Sequence, residues 1–324
     1  MAKTSKKKQQ QNMQKVFKYI VTTICIIVYL ILFAPDVLDA FTEILYGEGY
    51  APTSVQTEGS LSLHVIDVGQ GDSTLIIGPQ KTVLIDGGEN DQGDKVTQYI
   101  KDLGITTLDL VVATHSHSDH MGGLDVVINN FTVNKIAMPD IPKELTPTTK
   151  TFTDFLTAAK DSGANTLLIT EPFEMDLGGG GSIVVFPPSI TPSNINDTSL
   201  YTRMSFGEAD FLGSGDAEKA RELSVIDSPY LEGVEVLSAG HHGSNTSSSQ
   251  EFLDRVKPLN TYISLAAGNS YGHPHKEPLS RLKKLGSTIN RTDLEGSIVY
   301  TTDGKSIQVK SSKSDFTISV KEQP

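Results

Sequence analysis

Cysteine is almost missing from this sequence: Cys25 is the single one in 324 residues. It sits inside an apolar run, which removes a disulfide framework and a thiolate zinc site from consideration. Basic charge is scarce too once the first 18 residues are set aside. Those hold six lysines (Lys3, Lys6, Lys7, Lys8, Lys15 and Lys18) and no acid, so the remainder carries 21 basic against 39 acidic groups, a balance of −18. A surface of that sign repels phosphate backbones at long range and disfavours tight nonspecific binding of DNA. It does not exclude a nucleic acid substrate, because a metal can supply positive charge locally. No repeat of fixed short period is present. The stretch LGGGGS, Leu177 to Ser182, lacks the Lys and Ser/Thr of a phosphate loop and reads as a turn. Histidine is also sparse, at eight residues, and none falls between Met121 and Gly215.

The long uncharged run is at the start. YIVTTICIIVYLILFA, Tyr19 to Ala34, spans 16 residues, and with Val16, Phe17 and a snorkelling Lys18 it reaches 19. A helix crossing a bilayer takes roughly 17–25 residues. The preceding lysines put the N-terminus in the cytoplasm and the remainder outside. The expected organisation is a basic cytoplasmic tail over 1–15, a transmembrane signal-anchor over 16–34, a linker over 35–60 and a folded domain over 61–324. A cleaved signal peptide, which would leave the domain secreted, is the rival reading; Pro35 after the best small residue, Ala34, disfavours cleavage. A buried core helix is the third.

Beyond Leu61, short apolar runs alternate with turn signals. Strands are expected at 61–69, 73–78, 81–88, 108–115, 182–186, 199–206, 209–214, 235–240 and 261–268, and near 296–301, 305–310 and 315–320. GPQK fits a hairpin turn between the second and third. Helical spacing appears at 95–104, after Asp119, and at 248–257 and 277–285. Strands mixed with helices throughout argue for an α+β fold of sheets covered by helices.

The sparse histidines are concentrated in VVATHSHSDHMGG, Val111 to Gly123. His115 and His117, two apart at the end of a strand, share a face and can hold one metal ion. Asp119 and His120 follow where the chain turns into a helix and can reach a second. Gly122 and Gly123 let backbone pass close by. A set of nitrogen and oxygen donors suits zinc or, with more oxygen, manganese or iron. Two ions about 3.5–4 Å apart would activate water and clamp a substrate oxygen. Asp216 in GSGDAE and the pair His241, His242 in AGHHGS each follow an expected strand and can converge on the same edge. His64, alone on its strand, reads as structural.

The order HxHxDH, GDA, HHGS resembles the metallo-β-lactamase fold superfamily. More narrowly, HVIDVGQGDSTLI, LIDGG, THSHSDHMGG, SGDAE, AGHHGSNTSSS and GNSYGHP together resemble the hydrolase domain of the ComEC/Rec2 competence proteins, over residues 61 to about 310. The resemblance implies a four-layer αββα sandwich with two divalent ions, Zn or Mn, at one edge. It assigns His115 and His117 to the first ion, Asp119, His120 and one histidine of the pair to the second, and Asp216 to both. His242, directly before the glycine, is the favoured ligand, with His241 facing substrate or leaving group; physical reasoning alone does not separate the two. The superfamily's further first-site histidine has no counterpart here. The replacement region would be NDTSL, with Asn196, Asp197 and Ser199, making the first site weak. The competence proteins also carry a polytopic channel, which a single span cannot form.

Around this core, Asp67, Gln70 and Asp72 are expected in a loop beneath the metals, and Asp86 is expected to fix a ligand imidazole's tautomer. Ser244 and Asn245 are candidate phosphate donors, and Tyr271 and His273 candidate walls of the substrate cleft. The expected activity is hydrolysis of a phosphoester, most plausibly a phosphodiester, with DNA or a choline-phosphate-decorated wall polymer as substrate. Asp119, Asp216 and His241 would carry the catalysis. The alternatives are a lactone or thioester hydrolase and a noncatalytic binding module stabilised by metal.

Overall fold

Strict alternation of inward and outward side chains builds the sheets. The computed structural model describes residues 59–320. In it, β1 (Leu61–Val65), β2 (Thr74–Ile77) and β3 (Thr82–Ile85) run antiparallel. The turn after β2 is closed by Gly78 N–H donating to the Lys81 carbonyl at 2.9 Å, as GPQK predicts. The chain then adds β4 (Thr107–Leu108), β5 (Leu110–Val112), β6 (Thr132–Val133), β7 (Lys135–Pro139) and β8 (Asn165–Ile169). β3, β5, β7 and β8 are parallel neighbours. The second half supplies β9 (Phe173–Gly178), β10 (Gly181–Phe186), β11 (Tyr201–Phe206), β12 (Ala209–Gly213), β13 (Val236–Ser238), β14 (Asn260–Ile263) and β15 (Thr288–Arg291). The last strands, β16 (Ile298–Thr302), β17 (Ser306–Lys310) and β18 (Asp315–Ser319), return to the first sheet.

Two large sheets result. One has nine strands in the order β18-β17-β16-β1-β2-β3-β5-β7-β8, the other seven in the order β15-β14-β13-β12-β11-β10-β9, and β4 pairs with β6 apart from both. Side chains of β3 and β5 show how the layers form. Val83, Ile85, Leu110 and Val112 point into a core shared with Ile183, Val185, Met204 and Phe211 of the second sheet. Their neighbours Leu84 and Val111 point the other way, onto Val96, Ile100, Leu124, Val127 and Phe155 of the helices Gly93–Asp102, Leu124–Asn130 and Lys150–Ser162. The second sheet repeats the device: Val184, Phe186 and Leu212 face Phe252, Leu253 and Leu282 of the helices Gln250–Val256 and Lys276–Leu285. This is the expected four-layer αββα sandwich. Each fully buried Leu, Val or Phe contributes about 1.5–3 kcal/mol to it.

Some elements differ from the expectation. β5 stops at Val112, so His115 and His117 lie in a bend rather than on a strand. β7, the helix Lys150–Ser162 and β8 occupy a stretch that the alternation does not signal. The turn in LGGGGS is present between β9 and β10. The tail 1–15, the span 16–34 and all but two residues of the linker 35–60 lie outside the described residues. Among the described residues no helix is long and apolar enough to cross a membrane.

His64 is fully buried on β1, with Nε2 2.9 Å from Ser62 Oγ and Nδ1 3.0 Å from Tyr99 Oη of the covering helix. It ties strand to helix, the structural role its isolation predicts. Burial pushes its imidazole down to about 4. Between that value and the ordinary 6.5, the unfolded chain binds a proton that the folded one refuses. Stability is therefore complete above pH 6.5 and falls as pH drops toward 4, by roughly 3 kcal/mol at ~1.4 kcal/mol per unit. Denaturant titrations at pH 7, 5.5 and 4.5 should show His64→Gln losing this part of the pH dependence. Parallel pH profiles for the variant and the parent chain would contradict it.

Candidate metal centre

The chain leaves β3, β5, β12, β13 and β14 toward one edge, where parallel strands of both sheets release their carboxyl ends. Asp86 follows β3 and is buried, with a left-handed backbone (φ 58°). Its Oδ1 accepts from Thr114 N–H at 2.8 Å, and its Oδ2 from Thr114 Oγ1 at 2.7 Å and His120 Nδ1 at 2.8 Å. This organises two histidines. His120 spends its proton on Asp86, so when neutral it presents the Nε2 lone pair to the centre. Thr114 Oγ1, donating to Asp86, accepts from His115 Nδ1 at 3.2 Å, so His115 also presents Nε2. Asp86 thus has the tautomer-fixing position expected of it.

The opposite sheet supplies the rest. Asp216, buried beyond β12, accepts from no hydrogen-bond donor at Oδ1, which stands 3.1 Å from His120 Nε2 and 3.5 Å from His242 Nε2. His242 Nδ1 donates to the Ser264 carbonyl at 2.9 Å, behind β14, with Asp72 Oδ1 3.5 Å away. Its Nε2 is 3.2 Å from His120 Nε2 and 3.3 Å from Asp119 Oδ2. On the other side, Asp216 Oδ2 lies 3.7 Å from His115 Nε2 and 3.5 Å from His241 Nε2, and His115 Nε2 is 3.1 Å from His117 Nδ1. His241 and His242 both have left-handed backbones, φ 52° each. Two consecutive non-glycine residues in that region cost of order 1–3 kcal/mol each, strain of the kind held at functional sites.

Lone pairs facing lone pairs across 3.1–3.2 Å, beside two carboxylates, call for positive charge at the centre. Two groups of three, Asp72–His120–His242 and His115–His120–Asp216, bring ligand atoms within 4.8 Å of one another. The residues fit divalent cations. The titration pattern agrees. Burial works to lower His120, but Asp216 and Asp86 outweigh it and hold the imidazole well above its ordinary value. Burial likewise opposes charge on His242, and Asp216 and Asp72 outweigh it. Burial works to raise Asp119 and Asp216, yet the neighbouring histidines hold both below the usual carboxylate range. His115 is pushed well down by burial, and His117 down for the same reason.

A cleft opens over this centre, lined by Gln70, Glu89, His117, Ser118, Asp119, Asp216, His241, His242, Tyr271 and His273. Tyr271, exposed, stacks on His273 at 5.6 Å between ring centroids. Glu89 and Ser118, joined by a 3.1 Å hydrogen bond, carry no expectation of their own in the sequence, although Ser118 lies inside the histidine motif and Glu89 directly follows LIDGG. Ser264 acts through its carbonyl, for which residue type gives no signal.

Other candidates stand apart. Ser244 Oγ is committed to Thr246 Oγ1 at 3.1 Å, and Asn245 N–H donates to His275 Nδ1 at 3.0 Å; neither lines the cleft. Asp67 closes a turn by accepting from Gly69 N–H at 3.0 Å, a local role within the loop expected beneath the metals. In NDTSL, Asp197 Oδ2 accepts from Ser193 and Ser199 Oγ accepts from Asp216 N–H, while Asn196 Oδ1 is buried without a partner.

Close backbone contacts hold the histidine loop. A Cβ on Gly123 would meet the Gly87 carbonyl oxygen at 2.2 Å, and one on Gly122 would meet Asn90 N at 2.4 Å. Gly123→Ala should cost about 1–3 kcal/mol or more, because backbone rather than a side-chain end must move. A chemical denaturation midpoint unchanged from the parent chain would contradict that.

A fold of two sheets between helices, with this constellation at its edge, defines a class: residues 66–267 match the metallo-beta-lactamase superfamily, and the chain belongs to it. Members of that superfamily are mostly metal-dependent hydrolases. Among relatives, the chain is 29% identical to ComE operon protein 3 of Bacillus subtilis over 265 residues, covering 76% of this chain and 33% of that protein. It is 26% identical to Recombination protein 2 of Haemophilus influenzae over 290 residues, covering 87% and 33%. Both are ComEC/Rec2-family proteins, and the chain spans about a third of their length. The fold is shared with the metallo-beta-lactamase fold protein YhfI of Bacillus subtilis, at a TM-score of 0.51 and 13% identity, over 75% of this chain and 100% of that one.

Proposed function

We propose that this chain is a membrane-anchored, surface-exposed hydrolase that cleaves phosphodiesters with the help of two divalent cations, Zn or Mn. The observation that carries the reading is the convergence of His115, His120, His241 and His242 on the two oxygens of Asp216, with Asp119 beside His242 and His117 beside His115. The cations would supply Lewis acidity and positive charge to the reacting phosphoryl group. Asp216 holds the two halves of the donor set together. Asp119, ionised and partly open to the cleft, orients the attacking water or takes its proton. Asp86, Thr114 and the Ser264 carbonyl keep the imidazoles turned inward.

The cleft favours a phosphodiester over an acyl substrate. None of its lining residues is aliphatic, so it offers no wall for the chain of a lactone or thioester. Likeness to the competence proteins supports a DNA strand, and the acidic domain weighs against long duplexes. Residues 16–34 serve as the uncleaved anchor, with the hydrolase domain outside the cell; the intact mass of the membrane-extracted chain tests this, a loss of the first 34 residues or more contradicting it.

The decisive assay offers the full chain, with Mn²⁺, Zn²⁺ or chelator, a set of esters. These are bis(p-nitrophenyl) phosphate, single-stranded DNA, duplex DNA, a phosphocholine diester, a lactone and a thioester. Metal-dependent turnover of phosphodiesters alone is expected. Lactone turnover without phosphodiester turnover would replace the reading with an acyl hydrolase. Bound metal without any hydrolysis would make the chain a binding module.

A further inference from the structure

His241 has no assigned place in the cation centre, and its geometry gives it one. We propose that His241 is the third nitrogen of the first cation site, completing the group His115, His117 and Asp216 Oδ2, rather than a contact for the leaving group. The inference rests on the reading that this centre holds two divalent cations.

The Asp216 carboxylate sorts the surrounding imidazoles by oxygen. Oδ1 faces His120 Nε2 at 3.1 Å and His242 Nε2 at 3.5 Å. Oδ2 faces His115 Nε2 at 3.7 Å and His241 Nε2 at 3.5 Å. His117 adds Nδ1 at 3.1 Å from His115 Nε2. Without His241 the second oxygen would face one loop alone, through His115 Nε2 with His117 Nδ1 beside it. With it, the nitrogens approach from both sheets, as they do at the first oxygen.

The ring is also oriented as a ligand is. Its Nδ1 lies 3.1 Å from Thr246 Oγ1 and 3.8 Å from Glu218 Oε1. Those oxygens can take the Nδ1 proton and leave the Nε2 lone pair aimed at the centre, as Asp86 does for His120 and the Ser264 carbonyl for His242. Backbone geometry points the same way. His241 N–H donates to the Gly215 carbonyl at 3.1 Å, beside Asp216, and the left-handed conformation turns the ring inward together with that of His242.

The absence of histidine between Met121 and Gly215 leaves a vacancy that one residue pair of the last motif then fills. In the expected replacement region, Asp197 and Ser199 are occupied by Ser193 and by Asp216 N–H. Asn196 is the remaining competitor, through its unpartnered Oδ1.

The test counts ions and their affinities. The full chain is stripped of metal and titrated calorimetrically with Mn²⁺, with elemental analysis after gel filtration and the Mn²⁺ spin-resonance spectrum as second readouts. The variants are His241→Asn, Asn196→Ala and His273→Ala. Asparagine tolerates a left-handed backbone, so His241→Asn keeps the turn and removes only the imidazole. The parent chain should take two ions and show a spin-coupled pair. His241→Asn should keep one, with the second dissociation constant raised at least about a hundredfold and the coupled signal lost. The other two variants should keep both. Two ions at parental affinity in His241→Asn overturn the proposal. So does loss of one ion in Asn196→Ala with both retained in His241→Asn. A parent chain that takes no ion would instead sink the reading of the centre itself.

Discussion

Replacing Asp216 by alanine should lower phosphodiester turnover by at least about a thousandfold. Its two oxygens stand between the two sets of imidazoles, so the substitution removes one donor from each at once. If the cations lower the barrier by several kcal/mol, as bound metals do, loss of about 4 kcal/mol is a factor near a thousand. The fold should survive. Some stability should be lost, because the histidines outweigh burial and hold Asp216 below the usual carboxylate range. His120 and His242, raised chiefly by Asp216, can shed their protons once it is gone, so no unbalanced charge need stay buried. The measurements are kcat/KM on bis(p-nitrophenyl) phosphate, bound metal, and far-UV circular dichroism. Turnover within tenfold of the parent chain, with the fold intact, would remove Asp216 from the mechanism.

Asp86→Asn should weaken the centre without touching it. The asparagine Oδ1 can still accept from Thr114 N–H, and asparagine suits the φ of 58°. The amide nitrogen then falls where Oδ2 met His120 Nδ1 at 2.8 Å. Two N–H groups cannot face each other, so the imidazole moves its proton to Nε2 and points an N–H at Asp216 Oδ1. A donor has replaced a lone pair. Partners behind metal-binding histidines are worth about 10–100-fold in affinity or activity, and a loss of that size is expected in Mn²⁺ affinity and in kcat/KM. An Asp86→Asn chain with parental affinity would mean that the His120 tautomer is set by something else.

Much of this architecture is legible in the amino-acid sequence. Short apolar runs such as KTVLIDGG and SIVVF read as strands because both faces are covered, one by the other sheet and one by helices. The histidine motif, Asp216 and the HHGS pair were legible as a converging set. The reason offered for His115 and His117 was not the operative one: they meet because a bend follows β5, with Asp86 and Thr114 fixing the ring of His115. The stretch 135–169 was harder. β7 is buried on both faces as β3 is, but Ala137, Met138 and Pro139 lack the β-branched character of a strand, and β8 is an edge strand whose residues are mostly exposed. The helix Lys150–Ser162 did carry local signals, with Thr149 accepting from Phe152 N–H at its start and Gly163 left-handed at its end. Ser244 suits phosphate by residue type, and in the structure its hydroxyl is paired within its own loop with Thr246 Oγ1 at 3.1 Å.

The centre draws Asp86 and the histidine loop from one sheet, and Asp216, His241 and His242 from the other. A cation seated there would therefore rivet the two leaves of the sandwich together as well as serve chemistry. Its binding free energy becomes part of the unfolding free energy, about 2.7 kcal/mol at a free concentration one hundred times the dissociation constant. Melting temperature should climb with added Mn²⁺, and a chelator should leave a looser, more easily parted pair of leaves.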